Sequence, residues 1–248
     1  MSDIIQGGEG PALKGCVALL CFMEQPGPGS LKSPLAARIG EEAAVRLYRA
    51  FLESTVRTAL RTRPVLTPVG VGTPDDALTI LREIAGPRLP LWPQGEGDLG
   101  QRMARASARA FSGGAEKVLV IGTDAPDLPL GHLLGAARRL DREDVVLGPG
   151  RDGGYYLFGL SRPVPGLFRG VEWSSDRVLQ QTVRRVRAAG LRSSYLPVRS
   201  EVDGPQDLLD LRDRLHRAAG TSAGQTVGME DLRSAVDRAA ALMETPPP

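Results

Sequence analysis

Short, unbroken apolar runs alternate along this chain with longer stretches in which apolar residues recur every three or four positions. Cys16 to Met23, Cys-Val-Ala-Leu-Leu-Cys-Phe-Met, is the first such run and reads as a strand buried on both faces, as in a parallel sheet. Val65 to Val71, Leu89 to Trp92, Val118 to Ile121, Asp144 to Leu147 and Ser194 to Val198 are further strands. Between them, Glu41 to Leu60 carries Ala44, Leu47, Tyr48, Phe51, Leu52, Thr55, Val56 and Leu60 at helical spacing, which predicts a long amphipathic helix with those residues in the core. Pro74 to Ile84, a stretch ending near Ala110, Gly131 to Leu140, an arginine-rich stretch capped by Ser-Ser-Asp at 174–176, a stretch running to Arg217, and Met229 to Met243 complete the helices. The strict alternation implies an α/β fold: a mainly parallel central sheet with helices on both faces.

A chain of 248 residues suits one α/β domain. The organisation read from it is an N-terminal extension over 1–15, the main domain over 16–217, a linker over 218–228 with the small polar stretch Thr221 to Gln225, a C-terminal helix over 229–243 and a frayed tail over 244–248. With 31 basic residues against 29 acidic ones, the balance gives no broad electrostatic case for nucleic acid or membrane as a partner. The start lacks the basic and apolar regions of a secretory signal and no apolar run approaches spanning length, so the expected compartment is the cytoplasm. Cys16 and Cys21 lie an odd number of residues apart in one strand and should face opposite ways as core thiols. His132 and His216 are expected to be solvated or to cap helices.

The candidate chemistry centres on Lys117 to Pro129, Lys-Val-Leu-Val-Ile-Gly-Thr-Asp-Ala-Pro-Asp-Leu-Pro. Gly122 and the prolines stop the strand abruptly, so Asp124 and Asp127 emerge at its carboxyl end, where open α/β sheets bind ligands. Either aspartate could cap the next helix; equally, such carboxylates suit Mg²⁺ or Mn²⁺, hard cations that bridge to substrate phosphates. The Pro/Gly-rich loop after the first strand, with Lys32, is a phosphate cradle or a simple turn into a helix. Gln94 could read a base edge or satisfy a turn. Gly95, Gly97 and Gly100 mark a close approach of backbone to a ligand or to another segment. Asp152-Gly153-Gly154 is a hairpin turn, with Tyr155 to Leu160 as its return strand, that also places a carboxylate at the sheet's ligand edge. Asp203 is a second candidate ligand, or an N-cap.

Taken in order, Phe22…Pro26…Pro28-Gly29…Lys32…Leu35, Gln94-Gly95-x-Gly97-Asp98-Leu99-Gly100-x-Arg102, Gly122-Thr123-Asp124-Ala125-Pro126-Asp127-Leu128, Asp152-Gly153-Gly154-Tyr155-Tyr156-Leu157 and Asp203-x-Pro205-x-Asp207-Leu208 resemble the DUF2064 proteins, glycosyltransferase-A-type enzymes. The resemblance spans roughly Val17 to Leu211 and implies a single-domain nucleotide-diphospho-sugar transferase fold, Rossmann-like in its layers. It implies Asp124 and Asp203 as ligands of Mg²⁺ or Mn²⁺ on nucleotide phosphates. Phe22, Gly29, Lys32, Gln94, Gly95, Gly97, Asp98 and Gly100 would face the nucleotide. Asp152, Gly153, Gly154, Tyr155 and Trp173 would face the acceptor or sugar, with Asp152 the candidate general base.

The implied partners are a nucleotide sugar or nucleoside triphosphate and a small-molecule acceptor, in a metal-dependent glycosyl transfer or, alternatively, a nucleotidyl transfer of the molybdenum-cofactor or phospholactate guanylyltransferase type. One departure stands out. Where related sequences usually carry basic residues in the first loop, this chain has Glu24, Ser30 and Pro34, and only Lys32 is kept. That substitution opens a further alternative, a catalytically impaired binding protein acting through the Met229 to Met243 helix, which is also a candidate homodimer surface.

Overall fold

The computed structural model describes residues 13–27, 33–219 and 229–244. Seven strands, β1 (Val17–Glu24), β2 (Leu66–Thr73), β3 (Leu91–Pro93), β4 (Lys117–Ile121), β5 (Val145–Pro149), β6 (Tyr155–Leu160) and β7 (Ser193–Tyr195), form one sheet in the order β3-β2-β1-β4-β6-β5-β7. The helices are α1 (Ser33–Ile39), α2 (Glu41–Arg61), α3 (Leu78–Ala85), α4 (Leu99–Ser112), α5 (Leu130–Arg139), α6 (Val178–Ala188), α7 (Pro205–Ala219) and α8 (Met229–Glu244).

Every neighbouring pair is parallel except those of β6, which runs antiparallel to both β4 and β5. The Asp152-Gly153-Gly154 hairpin is the cause: its return strand inserts between β5 and β4, and so reverses one strand in an otherwise parallel sheet. The unbroken apolar character of β1 follows from burial on both faces. Leu19, Cys21 and Met23 join a core with Phe51 of α2, Leu133 of α5 and Leu211 of α7. Leu20 and Phe22 point the other way, into a core with Met103 of α4 and Val186 of α6. Cys16 and Cys21 accordingly serve opposite layers as free thiols.

Three expectations change at the element ends. The last strand stops at Tyr195, because Pro197 has no N–H for the ladder, and contact with the sheet resumes as a single bridge between Gly150 and Arg199. Pro74 to Ile84 divides into a 3-10 turn over Asp75–Ala77 followed by α3. The Ser-Ser-Asp stretch does not cap α6, whose first position follows Arg177 with no side-chain cap; the Ser175 hydroxyl instead donates to the Glu172 carbonyl at 2.6 Å.

The largest revision concerns α8. Read from the sequence as an appended helix with an apolar face for a partner, it lays that face on α1, α2 and α7 of its own chain. Leu232, Val236, Ala239, Ala240 and Met243 are buried there, within the same core as β1. Burial of a large apolar side chain contributes about 1.5–3 kcal/mol, so this face is covered within the domain. Arg57 to Asp231 at 2.8 Å and His216 to Asp237 at 2.8 Å border it, which makes His216 an inter-helix partner.

Candidate active site

Because the parallel strands all end at one edge, and because β6 begins there, their loops converge on a cleft of about 820 Å³. The end of β1 supplies Phe22 and Glu24, and β4 is followed by Thr123 and Asp124. Asp152, Gly154, Tyr155 and Trp173 line the side beyond β4, and Glu201 to Asp203 close the rim. A second, more open hollow of about 680 Å³, against Arg138, Arg139 and Arg142, lies where α5 leads back to the start of β5, away from this edge.

The loop bearing Asp124 is fixed at its neighbours. Tyr48, from α2, shares a hydrogen bond with Thr123 Oγ1 at 3.1 Å and accepts the Glu24 backbone N–H at 3.2 Å, so one buried phenol links the ends of β1 and β4. Burial, with the charges of Asp124 and Glu24 nearby, pushes that phenol up. On the opposite rim the Val202 N–H donates to the Asp124 carbonyl at 2.9 Å, which brings the segment carrying Asp203 against the segment carrying Asp124. Asp207, in the first turn of α7, accepts from the backbone N–H of Gly204 at 2.9 Å and of Asp203 at 3.2 Å, which ties the segment carrying Asp203 to the start of that helix.

The cleft is electrostatically one-sided. Glu24, Asp124, Asp152, Asp176, Glu201 and Asp203 line it, and Arg102 is the one Lys, Arg or His among its described lining residues. Burial first, and then the negative charge of Asp124, push the Glu24 carboxyl up, with Arg102 opposing. Among the described residues no three His, Cys, Asp or Glu side chains are grouped so as to hold a metal by themselves.

The glycine-rich segment resolves the alternatives that the sequence left open. Gly95 and Gly97 adopt φ of 70° and 101°, which side chains resist. The close approach at Gly100 is to another segment: a methyl group there would stand 2.5 Å from Trp173 Nε1. Gly153 is pressed by the Asp176 carbonyl in the same way. Two motifs distant in sequence thus make room for one loop, 172–176, in which Ser174 holds a φ of 64°. Asp98 caps α4, accepting the Gln101 N–H at 2.8 Å while Gln101 Oε1 accepts the Asp98 N–H at 2.9 Å.

Gln94 lines the cleft floor with its side chain already engaged. Its Nε2 donates to the carbonyls of Met23 at 3.2 Å and Val71 at 3.0 Å, and Oε1 accepts from Arg102 at 3.3 Å. These bonds favour the satisfied-turn reading over a base reader. Asp152 accepts the Gly154 N–H at 3.1 Å, as a turn carboxylate does, while remaining exposed on the cleft wall. Gly29 and Lys32 lie outside the described residues.

Asp127, three residues before the start of α5, does not cap that helix. Its side chain is 7 % exposed and receives Arg199 at 2.7 Å and Arg214 at 2.8 Å. Burial alone would push this carboxyl up; the hydrogen bond from Arg214 and the charges of Arg199 and Arg214 hold it below the usual carboxylate range instead. His132 is half-buried: its Nδ1 lies 3.1 Å from the Tyr156 hydroxyl, and burial together with the Arg199 charge pushes the imidazole down. The sequence reading assigned no role to Glu201, Arg199 or Arg214, gave Arg102 only as the last residue of the Gln94 motif, Asp176 only as part of a helix cap, and Asp127 as a cap or a hard-cation ligand.

The family model DUF2064, "Uncharacterized protein conserved in bacteria", matches residues 55–175, a span that contains the Gln94, Asp124 and Asp152 motifs and leaves out the first loop and Asp203. Among solved structures, a protein of Desulfovibrio desulfuricans G20, described provisionally as a nucleotide-diphospho-sugar transferase, is 29% identical with a TM-score of 0.79, over 92% of this chain and 96% of that one. A nucleotidyl transferase from Methanothermobacter thermautotrophicus is 16% identical with a TM-score of 0.57, over 82% and 99%. The 4-diphosphocytidyl-2C-methyl-D-erythritol synthase of Anaerococcus prevotii DSM 20548 is 14% identical with a TM-score of 0.54, over 82% and 96%. The last two share the fold alone. Comparison with curated proteins gives no match. Residues 55–175 thus match the DUF2064 model, in a chain that has the nucleotide-diphospho-sugar transferase fold.

Proposed function

We propose that this protein is a divalent-metal-dependent transferase that uses a nucleotide-activated donor, most specifically a nucleotide sugar, and passes the sugar to a small-molecule acceptor. The observation that carries the reading is the Val202 to Asp124 bond of 2.9 Å, which sets the Asp203 segment beside the Asp124 loop on one cleft at the carboxyl ends of the strands. The likeness to the Desulfovibrio protein supports the donor class.

The donor set suits Mg²⁺ or Mn²⁺. It consists of hard carboxylate oxygens, and Glu24, Asp124 and Asp203 line one cleft. Asp124 and Asp203 would hold the ion, with solvent water and the phosphate oxygens of a nucleotide as its other ligands. A bound metal would neutralise charge on the donor phosphates as the leaving group departs. The chain's own part is positioning: Thr123 and Tyr48 hold the Asp124 loop, Trp173 and Tyr155 wall the acceptor side, and Asp152 stands exposed there as the candidate base. Gln94, spent on carbonyls, shapes the floor.

Phosphorus NMR of the purified protein with Mg²⁺ and a panel of nucleotide sugars and nucleoside triphosphates tests this reading. Glycosyl transfer releases a nucleoside diphosphate, whereas nucleotidyl transfer releases pyrophosphate. Neither product, from any donor and any acceptor mixture, would favour the impaired binding protein.

A further inference from the structure

We propose that Arg199 is the positioning residue of the cleft: its backbone and its guanidinium together fix three acid-bearing segments, 122–127, 149–154 and 199–203, and so set where Asp124, Asp152 and Asp203 stand. The inference rests on the reading of the cleft as a metal and nucleotide site, and adds how that site is held.

Arg199 reaches each segment by a separate bond. Its backbone N–H donates to the Pro149 carbonyl at 3.0 Å, and its carbonyl accepts the Arg151 N–H at 3.0 Å, one residue ahead of Asp152. Its guanidinium donates to the Asp127 carboxylate at 2.7 Å and to the Asp127 carbonyl at 3.3 Å, at the far end of the Asp124 loop. Three residues on, the Val202 N–H closes the circuit onto the Asp124 carbonyl at 2.9 Å. The strand that leads here, β7, ends at Tyr195, so without these bonds the Glu201 to Asp203 rim would continue from a sheet edge without a ladder.

Both side-chain bonds leave from one guanidinium nitrogen, Nη2, while Nε is buried without a partner among the described residues, so the guanidinium acts as a charged clamp on the carboxylate and the carbonyl of Asp127. The pair is also largely withdrawn from water, with side chains 16 % and 7 % exposed, so its geometry is not loosened by solvent. Arg214 supplies the contrast: it binds the same Asp127 carboxylate from α7 but makes no bond to segment 149–154 or to the rim.

The experiment compares wild type with Arg199→Met, Arg199→Lys and Arg214→Met in the full chain, by two readouts. Amide hydrogen exchange is followed at Val202 and Arg151, with the amides of β1 and β4 as internal reference. Mn²⁺ is titrated by electron paramagnetic resonance, alone and with UDP-glucose or UTP. Arg199→Met removes the guanidinium bonds and keeps the backbone bonds to Pro149 and Arg151, so it should speed exchange at Val202 at least about tenfold relative to the reference, change Arg151 less, and weaken Mn²⁺ binding by about 10–100-fold, the range found when partners behind metal ligands are lost. Arg199→Lys should fall between, and Arg214→Met should leave both readouts near wild type even where it lowers the melting temperature. Retained protection at Val202 in Arg199→Met, or equal loss in Arg214→Met, would overturn the proposal. Should Arg199→Met fail to fold, Arg199→Lys decides on the same criteria. Wild type that binds no Mn²⁺ under any condition would remove the metal-site reading, while the exchange data would still decide what Arg199 holds.

Discussion

The indole of Trp173 packs over the bare α-carbon of Gly100, so closely that a methyl group there would meet Nε1 at 2.5 Å. The first turn of α4 and the 172–176 loop are thereby fitted to each other across the cleft. Gly100→Ala should force the indole away, at a cost of about 1–3 kcal/mol typical of overpacking. Tryptophan fluorescence would report it, with Trp92, under the Arg109 guanidinium of α4, as the second emitter. Unchanged emission and melting temperature would show that the loop accommodates a side chain at this position.

The Asp127 carboxylate gives the fold a pH signature. Its folded value is depressed, so the stabilisation it provides is complete above the ordinary carboxylate value and is lost as pH falls through the depressed one. Asp127→Asn should lower stability near neutrality, by an amount in the region of the about 3–5 kcal/mol seen when a buried pair loses a partner, and should flatten the acid limb of the stability curve. Chemical denaturation from neutral to acid pH measures both, and parallel curves for variant and wild type would contradict the assignment.

His132 tests the same cluster from the other side. Burial and the positive charge of Arg199 depress it, and the negative charge of Asp127 opposes them. Removing the Arg199 charge should therefore raise the His132 value. Proton NMR resolves this readily, since His216, paired with Asp237, is the one other histidine in the chain. A lowered or unchanged value in Arg199→Met would contradict the electrostatic account.

The C-terminal helix should be structural. Leu232 is buried against α1, α2 and α7, so Leu232→Ala is expected to destabilise the domain by about 2–5 kcal/mol, as other buried leucine truncations do. Denaturant titration reads this. A cost near zero would return the helix to the role of a detachable arm.

Much of the architecture was legible because it is local. Apolar runs named the strands within a few residues, helical spacing named α2, and Asp-Gly-Gly named the hairpin before β6. Periodicity carries no strand direction, however, so the insertion of β6 between β4 and β5 could not be read from it. The convergence of Asp124, Asp152 and Asp203 on one edge was legible through their places after strands. What held them was not. Asp127 meets Arg199 across 72 residues and Arg214 across 87, and nothing local marks those arginines among so many. The same distance explains the glycines: the sequence showed that Gly100 makes room for something, and only the fold shows Trp173 in that room. For α8 the amphipathic pattern was right, but a pattern does not say whose surface covers it.

Equilibrium binding of Mn²⁺ with a nucleotide sugar or nucleoside triphosphate, followed by thermal shift and calorimetry in wild type and in Asp124→Asn, tests the central claim most directly. A ligand that binds only the folded state raises its stability by an amount fixed by concentration over Kd, so modest affinity registers at high ligand concentration. The account predicts a shift with at least one nucleotide that requires the metal and disappears in Asp124→Asn, whose unliganded melting temperature stays near wild type. No shift with any nucleotide, or a metal-dependent shift that survives in Asp124→Asn, would contradict it.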